Sequence, residues 1–118
     1  MVVLVDKIEN LIVNKNTSIL KTIKILEKTH YKIVLVTNKK KLVGIVTDGA
    51  IRKSLLDNFS LDERVDKIMN SKPKIVTNSQ NHFFKANKLI NEKKFLHVPL
   101  VDKKNNILAI YLLDLISS

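Results

Sequence analysis

Thr47, Asp48 and Arg52 form the most suggestive cluster of polar residues in the chain. They lie in the run Leu42-Val43-Gly44-Ile45-Val46-Thr47-Asp48-Gly49-Ala50-Ile51-Arg52. The apolar residues before Thr47 read as a strand and those after it as a helix. A Thr at such a junction caps the helix, or binds an anion together with the unpaired N–H groups of the first turn. Arg52, in the first or second turn, adds positive charge for that anion. His97 and Pro99 stand on a second apolar run, His97-Val98-Pro99-Leu100-Val101. A lone His there either serves a ligand or packs as a structural residue. His30 and His82 lie far from it in sequence, and no His/Asp/Glu spacing suggests a metal site. No Ser, His and Asp fall in a nucleophile context, and there is no Gly-rich phosphate loop. The chain is therefore expected not to be an enzyme.

The elements that position these residues come twice. Ile19–Lys28 has its apolar residues at helical spacing, with Thr17 or Ser18 as N-cap. Phe83–Glu92 repeats it 64 positions later. Each helix leads to a short apolar run, Lys32–Val36 or His97–Val101, offset by 65. A polar tip follows, 37–41 or 102–106, and then a second apolar run, Leu42–Val46 or Ile107–Tyr111. Such runs around a short polar tip predict antiparallel hairpins. Leu11–Val13 and Ile75–Thr77 supply one more strand ahead of each helix. A further helix is expected from about Asp48 to Leu56, and a shorter one near Asp114–Ile116. Halves of roughly 50 to 60 residues bury little apolar surface alone, so two copies packed sheet against sheet are expected to share a core.

Composition narrows the class. The chain has 118 residues, enough for one ordinary domain, and no cysteine, which excludes disulfides and thiolate chemistry. No apolar stretch approaches the ~20 residues of a membrane span. Met1–Asp6 lacks the basic region and cleavage site of a signal peptide, so a cytoplasmic protein is expected. The formal charge is +10, from 21 basic against 11 acidic residues. Only Arg52 and Arg64 are arginines, and the lysines are scattered. Lys, Ile and Asn all have A/T-rich codons, so a solvated Lys-rich surface explains the charge better than nucleic acid does. Few aromatics interleave with the basic residues, which also argues against nucleic acid.

With the repeat in view, these segments resemble a tandem pair of CBS domains, the Bateman module. Leu42–Ile51 is similar to the family's glycine, hydrophobic strand, Thr/Ser and helix-opening segment. His97-Val98-Pro99-Leu100-Val101-Asp102 is similar to its His-x-Pro-Val-Val-Asp strand, and Val65-Asp66-Lys67-Ile68-Met69-Asn70 to the linker before the second copy. The resemblance runs from about Asp6 to Leu115. It implies an α/β fold of two pseudo-symmetric CBS repeats, each a short sheet flanked by helices, dividing as 1–62 and 63–118. Thr47–Lys53, Leu55-Leu56 and Ile68-Met69-Asn70 further resemble the pair that precedes bacterial sugar-nucleotidyltransferase domains, of the mannose-1-phosphate guanylyltransferase-like type. Those catalytic domains open with a Gly-rich loop that has no counterpart here. The chain is thus read as a regulatory piece whose enzyme domain is missing.

The resemblance implies a module that senses an adenosine nucleotide or related ligand. AMP, ADP, ATP and S-adenosylmethionine are the candidates, with no required cofactor and no metal. Backbone from Tyr31 through Lys32 to Ile33 would frame the base, while Thr47, Asp48 and Arg52 meet ribose and phosphate. His97, Pro99 and Asp114 would serve the second copy. The implied partners are a second copy of the chain, in a homodimer using Leu55, Leu56 and Phe59, and a nucleotidyltransferase domain. The family's ribose-binding Asp, three residues after the Thr, is Ala50 here. In the second copy Ala109 stands for Gly44. Ungapped, Leu112 falls opposite Thr47; with one gap Asp114 falls opposite Ala50 and Tyr111 opposite Thr47. These departures leave a second reading open: a degenerate pair acting only as a dimerisation or docking scaffold.

Overall fold

A computed structural model describes residues 1–113. In chain order the elements are β1 (Val2–Val5), β2 (Ile12–Asn14), α1 (Ile19–Lys28), β3 (Ile33–Asn38), β4 (Lys41–Thr47) and α2 (Asp48–Leu56). They continue with β5 (Val76–Thr77), α3 (His82–Lys93), β6 (His97–Val101) and β7 (Ile107–Leu113). Single 3-10 turns lie at Glu9–Leu11 and Val65–Lys67. The helix expected near Asp114–Ile116 lies outside the described residues.

The described chain packs as two units: Glu9–Pro73, and Met1–Ile8 together with the residues from Lys74 on. In the first unit the sheet runs β2-β3-β4, with β2 parallel and β4 antiparallel to β3. Helix α1 starts where expected because Ser18 caps it, its Oγ accepting the Lys21 N–H at 3.1 Å. Ile19, Thr22 and Leu26, spaced three and four apart, form its buried stripe. Ile19 and Leu26 join Val13, Val34, Val36, Val46, Ile51 and Val65 in the core. Each large aliphatic so buried contributes about 1.5–3 kcal/mol. In the second unit the sheet runs β1-β7-β6-β5, and Ala86 and Ile90 of α3 pack on Val76, Val98, Leu100, Ala109 and Tyr111. The chain is thus α/β, with a short sheet in each unit packed by α1 and α2 in the first and by α3 in the second.

The two hairpins are copies down to one irregularity. Val36 pairs with Gly44 and Thr37 with Leu42, so the register slips between them. Leu100 pairs with Ala109 and Val101 with Ile107, with the same slip. The residues turned toward the helix correspond as Val34 to Val98 and Val36 to Leu100. That is an offset of 64, the helix offset, and not the 65 read from the sequence. Side chains alternate along a strand, so a one-residue change of offset would turn the apolar set to the other face. Across the hairpin Ala109 matches Gly44 and Leu112 matches Thr47, which selects the ungapped correspondence.

Two features differ from the sequence reading. Val2–Val5, read only as lacking a signal peptide, forms β1 and pairs antiparallel with β7, Val2 opposite Leu113 and Val5 opposite Ile110. The segment after residue 62, grouped above with the second repeat, packs in the first unit. Its backbone is tied to the start of α1 by Ile19 N–H to Glu63 O (2.9 Å) and Val65 N–H to Thr17 O (2.7 Å). It is tied to β4 by Ile45 N–H to Asn70 O (3.0 Å) and Asn70 N–H to Ile45 O (2.9 Å). Gly44 permits this approach. A Cβ there would lie 2.9 Å from the Asn70 carbonyl oxygen and 2.5 Å from Met69 Sδ.

Candidate functional site

The β4–α2 junction assembles most of the first-copy residues. Ile33 is the Cα partner of Thr47, so the start of β3 runs beside the end of β4. Lys32, just ahead of Ile33, is exposed and turns the chain with a φ of 59°. Tyr31 before it is half-buried. Thr47 holds the N-cap position of α2 in extended backbone, φ −116° and ψ 170°, yet its side chain makes no cap hydrogen bond. The junction is therefore not a self-capped helix start like that of α1. The first turn of an α-helix has N–H groups with no intrahelical partner, and here the Thr47 hydroxyl is not spent on them. Asp48 opens the helix half-buried, and Arg52 is exposed one turn further on. Gly49 is not a steric necessity, since an added Cβ meets nothing nearer than Thr47 Oγ1 at 3.9 Å.

Ala50 turns toward protein. It packs with Phe59 and Ile68 against the core of its unit. With Lys53, Ser54 and Lys67 these residues line a shallow cavity of about 220 Å3. The Ser54 hydroxyl is buried and donates to the Ile51 carbonyl at 2.6 Å. Of the expected dimer residues, Leu55 and Leu56 are exposed, whereas Phe59 faces inward.

The second-copy residues stand in the other unit. His97 begins β6, half-buried opposite Leu112, and Pro99 is buried opposite Ile110. Leu112 is itself buried, so an apolar side chain occupies the place that Thr47 has in the first copy. Asp114 lies outside the described residues.

Sequence reading missed a polar pair in this unit. Tyr111, only 2% exposed, shares a 2.7 Å hydrogen bond between its hydroxyl and His82 Nδ1. Burial raises the Tyr111 pKa above its ordinary value of 10.0. The Phe83 ring meets Tyr111 edge-on, with centroids 5.9 Å apart. Tyr111 takes the place of Val46. A tyrosine in an otherwise aliphatic strand was the available signal, because a buried hydroxyl requires a partner.

Among the described residues no group of His, Cys, Asp and Glu is arranged to hold a metal ion. No helix among them is long and apolar enough to cross a membrane.

Residues 5–57 match the CBS domain family model. A Rickettsia prowazekii protein of uncharacterized function is 33% identical over 107 residues, covering 90% of this chain and 33% of that protein. The chain thus spans about a third of the length of the curated relatives it matches. Among solved structures, the CBS domain pair of protein MJ0100, in complex with 5′-methylthioadenosine and S-adenosyl-L-methionine, superposes with a TM-score of 0.73 at 24% identity. The match covers 93% of this chain and 89% of that one. A CBS domain protein from Pyrobaculum aerophilum complexed with AMP superposes with a TM-score of 0.70 at 22% identity, covering 83% and 76%. Residues 5–57 are therefore similar to a CBS domain, and the chain shares the fold of CBS pairs.

Proposed function

We propose that the chain is a cytoplasmic, non-catalytic regulatory module that senses an adenosine nucleotide or related ligand, such as AMP, ADP, ATP or S-adenosylmethionine. Thr47 meets the ribose or phosphate, Arg52 meets phosphate, Asp48 stands beside them as a further ligand-site residue, and backbone from Tyr31 to Ile33 frames the base. His97, Pro99 and Asp114 serve the second copy. The observation that carries this reading is the open junction, where Thr47 takes the N-cap position but keeps its hydroxyl off the helix. The AMP complex and the methylthioadenosine and S-adenosylmethionine complex of its fold neighbours support it. The controlled partner in this reading is a sugar-nucleotidyltransferase domain. The curated relatives extend well beyond the stretch they share with this chain, which supports a further domain of some kind. The module self-associates through the exposed Leu55 and Leu56, a point that sedimentation at high micromolar concentration checks.

A thermal-shift series with AMP, ADP, ATP and S-adenosylmethionine tests the ligand reading. Ligand at a hundredfold excess over Kd stabilises by about 2.7 kcal/mol, or roughly 10 °C at this chain length. Thr47→Ala and Arg52→Ala are expected to reduce the shift while leaving the unliganded midpoint in place. No shift with any of the four ligands would sink the reading.

The scaffold alternative has its own support, because Ala50, like Phe59 and Ile68, packs against the core of its unit and Leu112 replaces the second Thr. Titration calorimetry of Ala50→Asp separates the two. A gain in nucleotide affinity over the parent supports a sensing cleft that lacks an acceptor. The absence of any gain moves the scaffold reading to first place.

A further inference from the structure

Along the outer side of α1, Ser18, Leu20, Lys21, Lys24, Ile25 and Lys28 line a shallow, open groove of about 410 Å3. Residues three, four and seven apart share one side of a helix, so Lys21, Lys24 and Lys28 form a single row of ammonium groups. All three are exposed, and none has an ion-pair partner among the described residues. Leu20 is 38% exposed and Ile25 is half-buried, which gives the groove an apolar floor beneath that row. The positive charge belongs to side chains and not to the helix end. The N–H groups of Ile19, Leu20 and Lys21 are already taken by Glu63 O, Leu61 O and Ser18 Oγ.

We infer that this face docks an acidic amphipathic segment of a partner protein. Apolar side chains of the segment rest on Leu20 and Ile25, and its carboxylates meet Lys21, Lys24 and Lys28. Charge complementarity selects this occupant. A second copy meeting the face across a two-fold axis would set the same three lysines against each other. Nucleic acid fits less well, because the groove offers neither an arginine fork nor an aromatic stacking surface. The repeat supplies an internal comparison. Phe84, Lys85, Lys88, Leu89 and Glu92 of α3 stand 64 positions after Leu20, Lys21, Lys24, Ile25 and Lys28. That helix keeps the apolar stripe but exchanges one lysine for a glutamate, so α1 is the more basic face. The inference does not depend on nucleotide binding.

The test titrates the full chain into a labelled synthetic helical peptide bearing a leucine stripe flanked by glutamates, followed by fluorescence anisotropy at near-physiological salt. Saturable binding is expected, weakened about tenfold by Lys21→Glu with Lys24→Glu. Lys21→Gln with Lys24→Gln is the gentler second pair and is expected to weaken binding less. Lys103→Glu with Lys104→Glu makes the same charge change on the second hairpin, in the other unit, and is expected to leave affinity intact. Thermal midpoints confirm that each variant is folded. Equal loss in the Lys103 and Lys104 pair would mean that only net charge matters, and would overturn the inference. So would failure of the peptide to bind, or tighter binding of a labelled single-stranded oligonucleotide at the same lysines. A sedimenting dimer that Lys21→Glu with Lys24→Glu dissociates would assign the face to a second copy and overturn it as well.

Discussion

In the first unit Gly44 stands opposite Val36 beside a register slip, and in the second Ala109 stands opposite Leu100 beside the matching slip. The hairpins agree in pairing and differ in what lies against them. At the β4 edge Asn70 exchanges two hydrogen bonds with Ile45, and at the β7 edge Val5 pairs with Ile110, the counterpart of Ile45. The lesson is that both hairpins accept an extra segment at this edge, while the missing Cβ of Gly44 lets its segment come closer than an alanine would permit. The same repeat unit has thus been specialised twice, once to hold the 63–70 segment and once to carry the Tyr111–His82 pair.

Exchanging these two residues should break the comparison most sharply. Gly44→Ala puts a Cβ 2.9 Å from a backbone oxygen, and that oxygen can move only by giving up its ladder bonds. A cost of about 1–3 kcal/mol is expected in chemical denaturation, the usual range for overpacking. Ala109→Gly meets no such constraint and should cost only about 0.5–1 kcal/mol, from backbone entropy. Similar losses in both variants would mean that the seating of the 63–70 segment does not depend on the missing Cβ.

The helix starts form a second contrast. Ser18 caps α1, while Asn81 at the head of α3 adopts a left-handed φ of 67° and makes no side-chain cap. Ser18→Ala should therefore cost about 1 kcal/mol. His82, the residue that repeats Ser18 at an offset of 64, bonds Tyr111 instead. Tyr111→Phe should cost about 0.5–1.5 kcal/mol, and a double cycle with His82→Ala should show that the two losses overlap. The sign of the alkaline effect follows from the raised Tyr111 pKa. The folded protein holds that proton more tightly than the unfolded chain, so stability is present below the ordinary value of 10.0 and declines as pH rises past it. Tyr111→Phe should make that alkaline decline shallower, as followed by denaturation at a series of pH values.

Local pattern accounts for what could be read in advance. The limits of α1, α2 and β6 follow from caps, helical spacing and turn residues close in sequence, and all three match expectation. Thr47 and Ile33 were legible as neighbours because a hairpin joins them. By contrast β1 is a four-residue Val/Leu run whose partner strand lies at the far end of the chain. No local signal distinguishes such a run from a buried turn. The strand offset was misread because Ile33-Val34-Leu35-Val36 is aliphatic at every position, and a run without alternation fits its counterpart at either offset. The inward turn of Ala50 was also out of reach, since it depends on Phe59 and Ile68 arriving from a separate segment.

The hairpin tips give the smallest expected effect. In the first, Lys39 and Lys40 both adopt positive φ, 51° and 68°, in a two-residue connection between Asn38 and Lys41. Such turns favour Gly at the second position, because a side chain in the left-handed region costs about 1–2 kcal/mol. The second tip avoids most of that strain. Asp102 Oδ1 accepts the N–H groups of Lys104 and Asn106 at 2.9 Å each, and the residue with positive φ is Asn105, a type that tolerates it. Lys40→Gly should therefore stabilise the protein, by about 0.5 kcal/mol once the greater freedom of glycine in the unfolded chain is subtracted. Asn105→Gly should change stability by no more than a few tenths of a kcal/mol, since an asparagine is already suited to that backbone. Urea midpoints of the two variants measured side by side would decide it. Equal gains would show that the Asp102 hydrogen bonds do nothing to relieve the second turn, while no gain at Lys40 would show that the first turn is unstrained.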